Sequence, residues 1–321
     1  MTGHQEESRM PHRFDLLVLG DVNPDVVLGP LTGDLDFRQR EHLVGHGSLT
    51  LGGSAAITAA GAARLGLDVA FAGRVGDDAA GRFVRDLLDD RGVDTRALTV
   101  DPTLPTPLTA ILTRDGSRAI VTSSGVLDAV SAADVPAELL ASARHVHASS
   151  YFLMPKLAAG LPELFRTARA HGATTSLDTN DDPARQWDPS GIQLVLQETD
   201  FLLPNAAEAV ELSGKSSLLD AAAHLAAPGP TVVVKNGADG ALAHHRGETI
   251  TVPASPITPL DTVGAGDSFN AAFLAATLRG LPLRDALRAG IEGGGRSTLA
   301  RGGIDGQPTW NELNLTETEN A

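Results

Sequence analysis

DTVGAGDSFN, residues 261–270, places three small residues, Gly264, Ala265 and Gly266, directly ahead of an acidic one, Asp267. An apolar helical pattern follows from Ser268 to about Arg279 and stops at Gly280 and Pro282. The small residues therefore stand where a helix begins. Backbone N–H groups there have no partner inside the helix, and the helix dipole favours negative charge. With no side chain at the glycines, those N–H groups can converge on an anion such as a phosphate. Asp267 is then held beside that anion. It is placed to take the proton of an attacking hydroxyl while the amides stabilise the transferring phosphoryl charge. On this segment alone, Asp267 reads equally as an ordinary first-turn helix carboxylate.

Outward from this segment the chain alternates. Short apolar runs at 14–20, 69–72, 145–148, 174–177, 200–203 and 231–234 read as buried strands. Helical patterns at 54–65, 79–91, 161–170 and 205–212 end at Gly66, Gly92, Gly172 and Gly214, the usual helix stop. This alternation predicts an α/β fold with a central, mostly parallel sheet flanked by helices on both faces. Two stretches, about 22–50 and 104–125, are strand-like without helices. The second carries Asp115-Gly116 between extended runs, a hairpin signal. Together they predict a small β-sheet lid standing off the main domain. Residues 1–13 read as a disordered tail and 311–321 as a C-terminal tail, which leaves one domain over 14–310.

Composition narrows the function. The 321 residues carry 25 Lys+Arg against 40 Asp+Glu, a net charge of −15, and 42% are hydrophobic. Such an acidic excess argues against a nucleic-acid-binding surface, because phosphate neutralisation needs clustered cations. The absence of cysteine removes disulfides, thiolate metal sites and cysteine nucleophiles. No run approaches the ~20 apolar residues of a membrane span, and the polar N-terminus is unlike a secretory signal, so a cytoplasmic location is expected. Ser213-Gly214-Lys215-Ser216 imitates the end of a P-loop, but it closes a helix and has Ala209 where the first glycine belongs. No G-x-G-x-x-G follows a strand, which argues against a nicotinamide dehydrogenase.

Read in these surroundings, DTVGAGDSFN resembles the C-terminal signature of the ribokinase-like (PfkB) carbohydrate kinase family. Gly20-Asp21-Val22-Asn23-Pro24-Asp25 after the first strand resembles the family's opening sugar-binding segment. Gly52-Gly53-Ser54-Ala55-Ala56, followed by Arg64-Leu65-Gly66, 73–78 (GRVGDD) and Gly81, resembles its N-terminal signature. The resemblance covers about 14–310. It implies an ATP-dependent kinase with Asp267 as general base and Gly264, Ala265 and Gly266 as anion hole.

The resemblance also implies a sugar bound by Asp21, Asn23, Asp25, Gly52, Gly53 and Ser54. Carboxylates and amides at a strand's C-terminal end suit hydroxyls, and a helix start after Gly53 could add N–H donors; the same residues also read as a polar turn. Asn205 and Glu208 resemble the family's Asn-x-x-Glu, which organises Mg²⁺ and phosphates through waters, and they equally form a helix capping box. Asp178 and Asn180 would lie near the phosphates or the sugar. Lys235 and Gly237 resemble a Lys-x-Gly-x-x-Gly turn near the nucleotide, or a plain Asn-Gly hairpin. The backbone around Asp261 and Arg301 resembles a monovalent-cation (K⁺) site. Sugar-acid kinases of the family carry a basic residue where this chain has Asp182, which weakens that assignment. A nucleoside kinase of the same fold and a non-catalytic sugar-binding module are the alternatives, and a lid edge could pair two copies into a homodimer.

Overall fold

The computed structural model describes residues 13–114, 117–313 and 315. The strands in chain order are β1 (Phe14–Leu19), β2 (Asn23–Gly29), β3 (His46–Gly52), β4 (Val69–Gly76), β5 (Asp94–Asp101), β6 (Thr109–Arg114), β7 (Ser117–Thr122), β8 (Ala143–Ser149), β9 (Thr174–Asp178), β10 (Phe201–Leu202), β11 (Thr231–Lys235), β12 (Ala241–His245) and β13 (Glu248–Val252). The helices are α1 (Ser54–Arg64), α2 (Ala79–Asp90), α3 (Ala137–Ser142), α4 (Pro155–Ala170), α5 (Pro189–Leu196), α6 (Ala206–Ser213), α7 (Leu218–Ala226), α8 (Ala265–Leu278) and α9 (Leu283–Ser297). Among the described residues no helix is long and apolar enough to cross a membrane.

One sheet runs β13-β12-β11-β10-β9-β8-β1-β4-β5, parallel from β11 to β5 and antiparallel only over β11-β12-β13. The apolar run of β1 is explained by burial on both sides. Leu16 and Val18 join the core beneath α1, α8 and α9, and Leu17 and Leu19 join the core beneath α4 and α5. From β1 the chain extends the sheet one way through β4 and β5, then the other way from β8. This reversal opens a crevice at the strands' C-terminal edge, the standard ligand position in such sheets. The second sheet, β3-β2-β6-β7, falls on the two stretches expected to form a lid, with β3 running on from the expected 50 to Gly52. It is mixed, because β2 pairs antiparallel with β3 and parallel with β6. The Asp115-Gly116 turn lies outside the described residues, while Arg114 pairs with Ser117 on either side of it.

Three expectations need adjustment. Helix α8 begins at Ala265, three residues before the expected Ser268, because Gly264 takes a left-handed φ of 71° and turns the chain into the helix at once. The tail expected from 311 starts inside the fold: Trp310–Glu312 form a 3₁₀ turn and Leu313 is buried in the core, with the Arg279 guanidinium over the Trp310 ring at 4.1 Å. Residues 1–12 of the expected N-terminal tail lie outside the described residues. The expected helical patterns did not include α3, α5, α7 or α9, and α9 carries Gly290, Gly293 and Gly294 in its interior. Those glycines let it close on α8, where a Cβ on Gly293 would lie 2.5 Å from Ala272 Cβ.

Beneath α8 the sheet carries a buried polar ladder. His145 bridges Thr174 (2.6 Å) and Ser176 (2.7 Å), and His147 bridges Ser176 (2.7 Å) and Ser149 (2.9 Å). Burial pushes His145 down to about 3, helped by His147, and pushes His147 down to about 4 against the pull of Asp178. Both are neutral when folded and charge near 6.5 when unfolded, so their contribution is intact above that pH and lost as pH falls toward 4 and 3. Each costs about 1.4 kcal/mol per pH unit in that window. Several site carboxylates described below run the opposite way, so the readout is a difference. A His145→Gln, His147→Gln variant is expected to gain melting temperature relative to wild type steadily as pH falls from 6.5 to 4.5. A pH-independent difference would contradict this.

Candidate active site

The ends of β1, β8, β9 and β11, the start of α8 and the inner face of the small sheet enclose a cavity of about 950 Å³. Its chemistry centres on the start of α8. Gly264 caps the helix with no side-chain bond, and a Cβ there would lie 2.8 Å from Gly303. The Ala265 N–H makes only a long turn bond of 3.4 Å to Thr262, and the N–H groups of Gly266 and Asp267 find no acceptor among the described residues. These amides line the cavity unspent, the arrangement an anion needs.

Asp267 also lines this wall and is buried. Burial, then the Asp178 carboxylate, push it up to about 8, with Lys235 and a hydrogen bond from Ser54 opposing. Ser54 had been expected to bind substrate. Its hydroxyl accepts from Asn180 Nδ2 at 2.7 Å and donates to Asp267, so it links Asp267 to the end of β9. Asn180 in turn accepts from the Ser150 N–H at 3.0 Å. Asn180 and Ser150 both hold positive φ (56° each), a conformation uncommon outside glycine.

A second network lies deeper. Lys235 Nζ donates to Asp178 Oδ2 at 2.5 Å, and Asn270 Nδ2 donates to the same oxygen at 2.5 Å. Burial pushes the Lys235 ammonium down, but Asp178, Glu208 and Asp267 outweigh that and hold it above its usual value. Asp178 therefore anchors Lys235 and α8, although it borders the cavity as expected. Asn270 had no role assigned from sequence, yet it stands three positions after Asp267, the spacing that puts two residues on one helix face.

At the small-sheet end of the cavity, Asn23 Nδ2 donates to Asp25 Oδ1 (2.8 Å) and Thr109 Oγ1 (3.0 Å). Burial pushes Asp25 up to about 7, and Asp21 is also raised by burial. Two expectations are corrected here. The N–H groups of Ser54 and Ala55 donate to the Asp21 carboxylate at 3.2 and 3.1 Å and that of Ala56 to the Asp21 carbonyl at 3.3 Å, so the first three N–H groups of α1 are spent on Asp21. Gly52 does not border the cavity, whereas Gly53 does. A Cβ on Gly52 would lie 2.0 Å from Asp25 Oδ1, so its bareness makes room for that carboxylate.

Asn205 and Glu208 form the capping box in full: Glu208 N–H donates to Asn205 Oδ1 at 2.9 Å, and Asn205 N–H to Glu208 Oε2 at 2.8 Å. Both border the cavity, and burial followed by the Asp178 charge pushes Glu208 up to about 7. Asp261 joins two loops, accepting from the N–H of Val263 and of Gly302, each at 3.0 Å. Asp182 turns away to accept from Ala184, Gln186 and Trp187 N–H groups, and neither it nor Arg185 borders the cavity.

Sequence reading missed an adjoining pocket of about 630 Å³, which shares Lys235, Gly237, Thr262, Ala265 and Gly266 with the first. Ala238, Ile257, Pro259, Phe269 and Ile291 make it apolar. It meets the larger cavity at the unpartnered amides, so one elongated ligand could hold an apolar ring in the pocket and an anionic tail at α8.

The model of the pfkB family carbohydrate kinases matches residues 14–310. The chain belongs to that family. It is 28% identical to the ribokinase of Bacillus subtilis over 93% of this chain and 98% of the relative. It is 32% identical to the ATP-dependent ribose-1-phosphate kinase of Halopiger xanaduensis over 80% of this chain and 83% of the relative. A solved structure described as a putative ribokinase II from E. coli, in complex with ATP and Mg²⁺, superposes with a TM-score of 0.83 at 23% identity, covering 94% of this chain and 97% of that one. As a pfkB family member the protein is a sugar or nucleoside kinase, a phosphotransferase acting on an alcohol group. The family fold accounts for the reversed parallel sheet and the separate small sheet.

Proposed function

We propose that the protein transfers the γ-phosphoryl group of ATP to a hydroxyl of a small neutral carbohydrate. One observation carries the reading: Asp267 and the unpartnered amides of Gly266 and Asp267 stand on one wall, between the Asn23/Asp25/Thr109 end and the apolar pocket. The sugar lies at the first end and the adenine in the second. Asp267 removes the hydroxyl proton as the oxygen attacks the γ-phosphorus. The bond to the bridging oxygen breaks, and its electron pair leaves with ADP. The amides at the start of α8 stabilise the charge on the phosphoryl oxygens.

Carboxylate oxygens are the hard donors Mg²⁺ prefers, and Glu208, already held by Asn205, suits contact through coordinated water better than direct ligation. Mg²⁺ on the phosphates would neutralise their charge. The backbone around Asp261 and 301–303 would hold K⁺. The small sheet acts as a lid that excludes water. Its outer face carries exposed Leu49 and Val121, the apolar surface by which two copies would pair.

A nucleoside is the second reading, favoured by Phe152 and Leu153 on the wall of the larger cavity. A binding module without catalysis has no use for a buried base. ADP release with Mg-ATP over pentoses, hexoses, sugar acids and nucleosides is expected to rise with a neutral sugar and to stay at background without one. Turnover confined to nucleosides would replace the reading, and none with any acceptor would sink it.

A further inference from the structure

Two charged residues border the apolar pocket, Lys235 and Glu292. Lys235 also borders the larger cavity and is committed to Asp178 at 2.5 Å. Glu292 borders the apolar pocket only. Its side chain is 25% exposed, and its Oε2 accepts from Arg296 Nε, one turn further along α9, at 3.3 Å. Oε1 has no partner among the described residues. The threonine hydroxyls of the pocket are engaged elsewhere: Thr298 donates to the Gly295 carbonyl at 2.6 Å, and Thr262 accepts from Arg118 Nη1 at 3.2 Å. The carboxylate of Glu292 thus meets no protein donor across the pocket, and the N–H groups of a ligand are what it can take.

Its position along α9 says which part of a ligand it meets. Gly294 packs on the first turn of α8, where an added Cβ would lie 2.8 Å from the Ala265 carbonyl oxygen. Further on, the Thr298 carbonyl accepts from the N–H groups of Leu260 and Asp261. The C-terminal part of α9 therefore lies beside the anion-binding amides. Helical side chains lean toward the helix N-terminus, so Glu292 leans away from those amides. Gly295, one turn after it, brings the 254–262 turn close, since a Cβ there would lie 2.7 Å from Ile257 Cδ1. The carboxylate shares its wall with Ile257 and Ile291, the part of the pocket suited to a flat ring.

We propose that Glu292 selects the base of the phosphoryl donor, and that the site takes a guanine nucleotide alongside ATP. This rests on the kinase reading above. Guanine presents N1–H and N2–H side by side, two parallel donors for one carboxylate. Adenine offers a single amino group, and hypoxanthine keeps N1–H but lacks the 2-amino group. The apolar walls serve the faces of any of these rings, so the carboxylate is the group that tells them apart. A carboxylate oxygen accepts more than one bond, so the contact with Arg296 orients Glu292 without using it up.

The test measures ADP, GDP and IDP binding by calorimetry in wild type, Glu292→Gln and Glu292→Ala. Initial rates with ATP, GTP and ITP follow, with the acceptor found in the screen. The pair with Arg296 is partly exposed, so neither change threatens folding. Wild type is expected to bind GDP at least as tightly as ADP, and about tenfold more tightly than IDP. Both variants should lose about tenfold on GDP and a smaller factor on ADP, which closes the gap between GDP and IDP. The ratio of kcat/KM for GTP over ATP should fall with them. A wild type that binds GDP about tenfold more weakly than ADP would overturn the proposal. So would variants that keep the gap between GDP and IDP. An equal loss on all three nucleotides that vanishes with their 2′-deoxy forms also overturns it, because Glu292 would then hold the ribose. Turnover with ATP and none with GTP leaves the kinase reading standing; a wild type inactive with every donor and acceptor removes both.

Discussion

Asp267→Asn is expected to lower kcat by about 10³-fold while leaving nucleotide affinity within a few-fold, because the amides at the start of α8 and the apolar pocket remain. The same substitution is expected to raise the melting temperature at pH 8 to 9. The folded carboxyl lies near 8 and its ordinary value is 3.8. A carboxyl raised by folding penalises the folded state increasingly as pH climbs from 3.8 to about 8, and by a constant amount above. An amide escapes this penalty, so the gain in melting temperature should grow over that range and then level off. In the free enzyme, kcat/KM should rise with pH through about 8, the direction a general base requires. A variant that is slower but no more stable at pH 8 would show that Asp267 is not held as described.

Lys235→Met is expected to produce the largest loss of stability. It removes the ammonium that faces Asp178 at 2.5 Å and leaves Asp178, Glu208 and Asp267 without a shared counter-charge. Breaking one partner of a buried pair costs about 3–5 kcal/mol. At roughly 2–4 °C per kcal/mol, the lower figure already means a drop of 6–12 °C in a thermal melt. Adding Asp178→Asn should recover most of it, because the stranded charge is then gone. A single-variant loss under 2 °C would mean that the pair contributes nothing net.

The parts of the fold legible in the sequence were those set by local chemistry. The apolar run of β1 and the glycine stops at Gly66, Gly92, Gly172 and Gly214 decide their own conformation. Helix α9 was illegible because its glycines matter only against α8, where contact distance overrides helix propensity. In the site, Asp267 and the small residues before it stand out because one short segment holds both. Gly52 misled, since the carboxylate it accommodates lies 27 positions away, and the capping of α1 by Asp21, which borders the cavity, spans 33 positions and leaves no local signal. The apolar pocket gave no local signal. The turns at 237–240 and 254–262 and the faces of α8 at 265–269 and of α9 at 291–298 assemble it, and no one of them is apolar enough to declare it.

Helix α8 has a further consequence. From Phe269 to Ala276 it is buried on every side, which makes it the most firmly held element near the reaction centre. Asp267 and the unpartnered amides are mounted on that beam, whereas Asn23, Asp25, Thr109 and Arg118 belong to the small sheet. The two inventories share no strand and no helix. On the proposed function, a substitution in the small sheet at Asn23, Asp25 or Thr109 would alter which alcohol is chosen while the first turn of α8 stays as it is. The positions to edit are few and buried, Asn23, Asp25 and Thr109, and none of them belongs to the beam.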